Sequence, residues 1–203
     1  MKKFSVLLAV IAGAALFMAF TNGGYQLGDA VKDFSLKNTD GRKVSLSDYK
    51  DKKGVIVIFD CNTCPYSKKY NSRIIGLNKK YKDAGFPVIT INANDPQKSP
   101  GDSFDAMVAQ AKKKNYDFPY LVDETQDVAR AFGATNTPHV FVLQNNGGEF
   151  KVAYIGAIDN NTADADAASE KYVEAAVDAL LANKPVPKEK TKAIGCGIKY
   201  RNS

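Results

Sequence analysis

Two cysteines three positions apart, Cys61 and Cys64, are the residues of this sequence best suited to chemistry. They lie between a short apolar, β-branched run over 55–59 and a stretch after Pro65 in which apolar residues recur every three or four positions. The first pattern predicts a buried strand and the second an amphipathic helix. Both sulfurs would then lie at a helix N-terminus, where free N–H groups and the helix dipole favour a thiolate. That arrangement suits thiol–disulfide exchange.

The first 24 residues have the pattern of a secretory signal peptide, or of an anchor if they are not removed. Two lysines precede an uncharged, apolar run over residues 4–20. This order of charge and hydrophobicity is typical of such signals. We therefore expect a periplasmic or secreted bacterial protein that contacts a membrane only through this segment, and only if it stays uncleaved.

The rest of the chain is expected to form one domain over residues 25–183 and a basic tail over 184–203. The chain has 203 residues, 44% of them hydrophobic, which is enough for a core without structural disulfides. Its formal charge of +6 is spread over lysine clusters that accompany no nucleic-acid motif, so no nucleic-acid partner is predicted. The third cysteine, Cys196, lies in the tail, and an odd number leaves at least one thiol outside internal pairing.

Hydrophobic periodicity and turn residues predict an alternation of strands and helices along the chain. The predicted elements are a hairpin around Asp40-Gly41, strands over 55–59, 87–92, 119–122, 139–143 and 150–155, and helices over about 65–82, 104–114, 125–132 and 163–183. This order indicates an α/β fold with an N-terminal β-hairpin and a mixed central sheet flanked by helices on both faces.

The sequence over roughly 28–181 resembles the thioredoxin superfamily. Two features carry the resemblance: the Cys-x-x-Cys between strand and helix, and Thr137-Pro138 directly before the second hairpin. The superfamily has a cis-proline at that place, facing the cysteine pair. The segments 61–65 and 195–199 are similar to a group of peroxiredoxin-like redoxins. The resemblance implies a thioredoxin-like fold and a thiol enzyme.

The superfamily pattern implies a role for each residue of the site. Cys61 would attack, Cys64 would resolve the mixed disulfide, and Thr137 with Pro138 would shape the substrate groove. Pro65 favours the first helical position, however, which would make Cys64 the helix cap, and a Cys-Pro pair is similar to a peroxiredoxin nucleophile. We prefer Cys61 as the nucleophile, but the order of attack stays open.

Three further residues are candidate accessory groups. Asp60 could relay a proton to the first cysteine or be a solvated carboxylate at the end of a strand. His139, the only histidine, could face the sulfurs or be an ordinary strand residue. Cys196 could pair with either cysteine, join two copies of the chain, or stay free.

Three other functions use the same fold. A copper-delivery branch of the superfamily uses two cysteines and a distant histidine, which here would be Cys61, Cys64 and His139, although its cysteines are one residue further apart. Peroxiredoxins have Pro-x-x-x-Thr/Ser-x-x-Cys, whereas residues 57 and 61 are valine and cysteine, which counts against a thiol peroxidase. A binding module with inert thiols is the third alternative.

The preferred function is an exported thiol–disulfide oxidoreductase that cycles between a Cys61/Cys64 dithiol and a disulfide. Protein thiols and disulfides would be its substrates, together with a redox partner protein. No cofactor and no metal is required. Whether it reduces, oxidises or isomerises depends on the relative stability of the thiolate and disulfide forms, which residue types alone do not determine.

Overall fold

The computed structural model describes residues 23–201. The signal segment predicted over 1–24 lies outside the described residues except for its last two positions. No helix in the described part is both long and apolar enough to span a membrane. The elements in chain order are β1 (Ser35–Asn38), β2 (Lys43–Ser45), β3 (Gly54–Phe59), α1 (Pro65–Tyr81), β4 (Val88–Asn92), α2 (Phe104–Lys114), β5 (Tyr120–Val122), α3 (Asp127–Phe132), β6 (Asn136–Thr137), β7 (His139–Asn146), β8 (Glu149–Gly156), α4 (Tyr172–Leu181) and β9 (Cys196–Gly197).

Seven strands form one mixed sheet in the order β2-β1-β5-β4-β3-β7-β8. Strand β4 runs parallel to both β3 and β5, and the other neighbours are antiparallel. The predicted α/β fold, with its mixed central sheet and N-terminal hairpin, is confirmed. Short 3-10 helices over Leu46–Tyr49 and Pro100–Asp102 lie between β2 and β3 and between β4 and α2.

Alternate residues of β3 enter two hydrophobic cores, one on each face of the sheet. Val57 and Phe59 contribute to a core that includes Phe132 of α3. Ile56 and Ile58 contribute to the other, which includes the apolar faces of α1 and α4. Every residue of β3 is buried, because helices cover the strand on both sides. This explains its unbroken apolar run and confirms the prediction of helices on both faces.

Helix α4 begins at Tyr172, so the predicted start at residue 163 is wrong. In the loop before it, the side-chain oxygen of Asn161 accepts hydrogen bonds from the backbone N–H groups of Ala163 and Asp164, each at 3.0 Å. Such local bonds offer the backbone an alternative to helical pairing. They outweigh the high alanine content that favoured a longer helix. The other predicted elements are present, with small shifts at their ends.

The C-terminal residues return to the domain and contact it closely. Strand β9 pairs with β6 in antiparallel fashion, so that Thr137 lies opposite Cys196 and Asn136 opposite Gly197. The next residue, Ile198, is buried in the core on the α3 face of the sheet. The tail therefore adds a strand and a core side chain beside the Thr-Pro pair.

Candidate active site

The Cys-x-x-Cys segment joins the end of β3 to the start of α1. Cys64 is the N-cap of the helix, with an extended backbone (φ −64°, ψ 126°), and Pro65 occupies the first helical position. Proline suits that position because its fixed φ matches the helix and its missing N–H would have no helical partner. Cys61 and Cys64 are both buried, with 2% of their surface exposed. The sequence therefore places the cysteine pair at a helix N-terminus, as the pattern predicted.

Three cysteines and one threonine meet at this helix end. Cys61 Sγ lies 3.1 Å from the Thr137 hydroxyl. Cys64 Sγ lies 3.1 Å from the Thr137 carbonyl oxygen and 2.6 Å from Cys196 Sγ. All three cysteines are free thiols. The Thr137-Pro138 peptide bond is cis, as the resemblance implied, and the third cysteine is closer to the site than its place in the tail suggested.

The electrostatic surroundings distinguish the two cysteines of the motif. The pKa of Cys64 is held well below its ordinary value, first by a hydrogen bond from the Cys61 thiol and further by the Cys196 thiol. The same contact raises the pKa of Cys61, and burial and the negative charge of Asp102 raise it further. The Thr137 carbonyl opposes ionisation of Cys64, but the thiol donors and the helix N-terminus prevail.

Asp102, which lies just before α2, fixes the two residues between the cysteines. Its buried carboxylate accepts a hydrogen bond from the Asn62 backbone N–H at 2.7 Å, from the Thr63 hydroxyl at 2.7 Å and from the Ser99 hydroxyl at 2.6 Å. Burial raises its pKa, but hydrogen bonds from Ser99 and Thr63 leave the pKa lowered overall. Sequence reasoning missed this role, since the only signal was an aspartate near a helix start.

Asp60 is a buried carboxyl next to the first cysteine. Only 5% of its surface is exposed, and its Oδ1 has no hydrogen-bond partner within residues 23–201. Burial raises its pKa to about 6, so it can gain or lose a proton near neutral pH. The interpretation of Asp60 as a solvated carboxylate is therefore wrong.

His139 is a buried residue at the start of β7. Its Nδ1 accepts a hydrogen bond from the Thr135 backbone N–H at 3.3 Å, and its ring lies 4.7 Å from that of Phe141. Burial, and then the charge of Lys190, lowers its pKa to about 4, so it is neutral at pH 7. Among the described residues, no group of three or more His, Cys, Asp or Glu side chains is arranged to hold a metal ion. The contacts of His139 are those of an ordinary strand histidine.

Comparison with known proteins now identifies the family. The model of the AhpC/TSA family matches residues 27–154, from before the first hairpin into β8. The chain belongs to the AhpC/TSA family. Cys61, Cys64 and the cis-proline lie inside the matched region, and Cys196 lies beyond it.

Relatives of this AhpC/TSA protein are named for two kinds of thiol chemistry. Thiol-disulfide oxidoreductase ResA of Bacillus cereus is 25% identical over 151 residues, which cover 70% of this chain and 80% of the relative. Chloroplastic peroxiredoxin Q of Gentiana triflora is 29% identical over 127 residues, which cover 59% of this chain and 55% of the relative. Both names describe thiol enzymes, which agrees with the predicted enzyme class.

Solved structures extend the similarity to most of the chain. An uncharacterized conserved protein from Geobacillus kaustophilus is 35% identical, with a TM-score of 0.81, over 88% of this chain and 94% of that one. Solved structures with less than 25% sequence identity share the thioredoxin-like fold, and their similarity to this chain is one of fold only. The predicted membership in a family of thioredoxin-like redox enzymes is confirmed.

Proposed function

We propose that this protein is an exported thiol–disulfide oxidoreductase in which Cys64 is the attacking thiolate. The observation that carries the proposal is the position of Cys64 at the N-cap of α1, in contact with a second thiol and with a lowered pKa. A thiolate, not a thiol, is the nucleophile in disulfide exchange. The preference for Cys61 as the first nucleophile receives no support from the pKa shifts, because Cys61 binds its proton more tightly.

The reaction follows from the proton affinities of the site. The Cys64 thiolate attacks one sulfur of the substrate disulfide, forms a mixed disulfide and releases the first substrate thiolate. Cys61 then loses its proton and attacks Cys64 Sγ, which leaves a Cys61–Cys64 disulfide and releases the second substrate sulfur as a thiolate. Asp60, with a pKa of about 6, is the proposed acceptor of the Cys61 proton.

Protein thiols and disulfides are the proposed substrates. A redox partner protein is proposed to return the cysteine pair to its starting oxidation state after each reaction. The ResA relative carries the name of a thiol-disulfide oxidoreductase, which supports this class. We propose export from the signal-like pattern of residues 1–24 and a domain over 25–183, to which the tail over 184–203 contributes Cys196. Thr137 and Pro138 are the proposed groove residues.

Insulin reduction by the wild type and by cysteine variants tests the proposed function. We expect Cys64→Ser to lose at least about 100-fold in turnover, since no other thiolate starts the reaction. Cys61→Ser is expected to slow turnover by a smaller factor, because the first step remains. The exposed Ser72→Ala change on α1 is the matched control for folding. Equal turnover by the wild type and Cys64→Ser would contradict the proposal.

A thiol peroxidase is the second candidate function. The observation that favours it is the lowered pKa of Cys64, followed directly by Pro65, in a chain similar to peroxiredoxin Q. The valine at 57 and the cysteine at 61 depart from the peroxiredoxin signature. Hydrogen peroxide consumption distinguishes the two functions. The peroxidase requires rapid consumption that Cys64→Ser abolishes, and unchanged consumption in that variant would exclude it.

A further inference from the structure

The backbone edge beside the cis-proline is occupied by the protein's own C-terminus. Residues 195–201, here called the C-terminal segment, place β9 against β6 with Cys196 opposite Thr137. Adding a strand to a free backbone edge is a common way for a protein to hold an extended polypeptide. Thr137 is a proposed groove residue, and β9 occupies its backbone edge. The C-terminal segment therefore stands where the polypeptide part of a substrate is expected.

The start of the C-terminal segment fits closely against β6. A Cβ atom at Gly195 would lie 2.1 Å from the Thr137 carbonyl oxygen, so only glycine allows this approach. The Asn136 side chain donates a hydrogen bond to the Gly195 carbonyl oxygen at 3.0 Å. By contrast, a Cβ at Gly197 would meet its first neighbouring atom at 4.0 Å. The two glycines thus differ in what an added methyl group would do.

The other end of the C-terminal segment is tied to two separate loops. The Lys199 backbone N–H donates to the Asn94 side chain at 2.8 Å. The Gln126 side chain donates to the Lys199 carbonyl oxygen at 3.0 Å and accepts from the Arg201 N–H at 2.9 Å. Gln126 is itself buried, and its two bonds to the segment are partly buried. The C-terminal segment is an ordered part of the domain.

The C-terminal segment places the sulfur of Cys196 next to that of Cys64, the proposed nucleophile. Cys196 Sγ lies 2.6 Å from Cys64 Sγ, closer than non-bonded sulfur atoms normally approach. Cys64 is only 2% exposed, with the Thr137 carbonyl and Cys196 against its sulfur, so a substrate disulfide reaches it only after neighbouring atoms move. One element therefore both covers the thiolate and carries a thiol that can bond to it.

We infer that the C-terminal segment is a displaceable third part of the active site: it occupies the substrate edge until a substrate displaces it, and its Cys196 resolves mixed disulfides formed at Cys64. This inference rests on the proposed function. It makes Cys196 a catalytic residue, because its sulfur reacts directly with Cys64. Cys61 and Cys196 are then alternative resolving thiols for one thiolate.

The step balances in atoms and electrons. The Cys64 thiolate breaks the substrate S–S bond, forms a Cys64–substrate disulfide and releases one substrate thiolate. Cys196 then gives up its proton to the second departing substrate sulfur as its own sulfur bonds to Cys64. The substrate disulfide has gained two electrons, and Cys64 and Cys196 have lost two by forming one disulfide.

The reaction of Cys61→Ser with 5,5′-dithiobis(2-nitrobenzoate), followed by intact mass and peptide mapping, tests the inference. We expect Cys61→Ser to end as a protein two hydrogen atoms lighter, with the peptides of Cys64 and Cys196 joined. The double variant Cys61→Ser/Cys196→Ser should keep one thionitrobenzoate adduct on Cys64. In the oxidised wild type, peptide mapping should detect a Cys64–Cys196 link besides the Cys61–Cys64 link.

The outcomes separate this inference from the proposed function. Separate adducts on Cys64 and Cys196 in Cys61→Ser, without a bond between them, would overturn the resolving role and leave the proposed function intact. A double variant whose Cys64 forms no adduct would overturn the proposed function itself. Circular dichroism of both variants establishes that they are folded.

A pair of glycine variants tests whether the C-terminal segment covers the thiolate. Gly195→Ala forces the segment away from Thr137 and is expected to raise the rate of Cys64 alkylation by iodoacetamide about tenfold or more. Gly197→Ala adds the same methyl group where there is room and is expected to keep the wild-type rate. Equal rates in the two variants would overturn the covering role.

Discussion

At the level of single residues, three sulfur atoms share the N-terminus of α1 and differ in how tightly they bind a proton. The pKa of Cys64 is lowered by its neighbours' thiol donors. Burial and the contact with Cys64 raise the pKa of Cys196, and the pKa of Cys61 is raised as well. An ionised sulfur between two protonated ones can attack a substrate first and then be attacked by either neighbour.

The pH dependence of Cys64 alkylation tests this division of roles. In the reduced wild type, the rate of carbamidomethylation of Cys64 should reach its plateau below pH 7, whereas an ordinary thiol has its midpoint near pH ~8.5. Cys61→Ala removes the leading donor to the thiolate and should move the midpoint upward by about one unit or more. Cys196 in the same samples is the internal control and should titrate above the ordinary value. A Cys64 midpoint near pH ~8.5 would contradict the assignment.

Asp60 predicts a pH-dependent effect on stability. Its pKa rises from 3.8 in the unfolded chain to about 6 in the fold, so the fold favours its neutral form and loses stability as pH rises from the unfolded to the folded value, above which the loss is constant. Asp60→Asn should therefore raise the free energy of unfolding at pH 7.5 by up to ~3 kcal/mol. The gain should fall as pH drops and vanish below pH ~4. Urea unfolding of both reduced proteins at each pH measures it, and an equal gain at all pH values would contradict a buried, titrating Asp60.

At the level of elements, the segment between the cysteines is held by a bond network and not by a regular element. The Asp102 carboxylate accepts three short hydrogen bonds, two from this segment and one from the loop before α2. Asp102→Asn replaces an acceptor oxygen with an amide group that would face donors. It should lower the free energy of unfolding by about 2–4 kcal/mol.

The matched control for that variant is Asp105→Asn in the first turn of α2. Asp105 is exposed, so its replacement removes only a favourable interaction with the helix dipole and should cost less than about 1 kcal/mol. Urea unfolding of both variants gives the comparison. Equal losses would show that the Asp102 bonds do not stabilise the fold.

Most helices and strands could be predicted from the sequence because local residue patterns determine them. The apolar run of β3 predicted a strand buried on both faces, and the recurrence of apolar residues every three or four positions after Pro65 predicted α1. The resemblance to the thioredoxin superfamily predicted the cis-proline at Thr137-Pro138. The start of α4 was missed because the side chain of Asn161 bonds the backbone locally, an effect that composition does not show.

At the level of the whole molecule, two features of the site depend on contacts between distant parts of the chain. Asp102 lies 40 residues from Asn62, and Cys196 lies 132 residues from Cys64. No periodicity or spacing rule connects such positions. The sequence therefore yielded the cysteine pair and the cis-proline, but neither the carboxylate that fixes the pair nor the place of the third sulfur.

The separation of Cys64 and Cys196 predicts a large effect of oxidation on stability. A disulfide that closes a loop of 132 residues is expected to stabilise the fold by up to ~5 kcal/mol, against ~2 kcal/mol for the short Cys61–Cys64 ring. Urea unfolding of oxidised and reduced Cys61→Ser should show the larger difference, and that of Cys196→Ser the smaller. Equal differences would indicate that the long-range bond does not form.

Redox titration of the wild type tests the central claim, that Cys64 is the reactive thiol of a reversible disulfide. The protein is equilibrated in glutathione buffers of increasing potential, and its free thiols are alkylated and identified by mass spectrometry. We predict one two-electron transition in which Cys64 loses its free thiol in every oxidised molecule, while Cys61 and Cys196 share the role of partner. A Cys64 that remains alkylatable in fully oxidised protein would contradict the account.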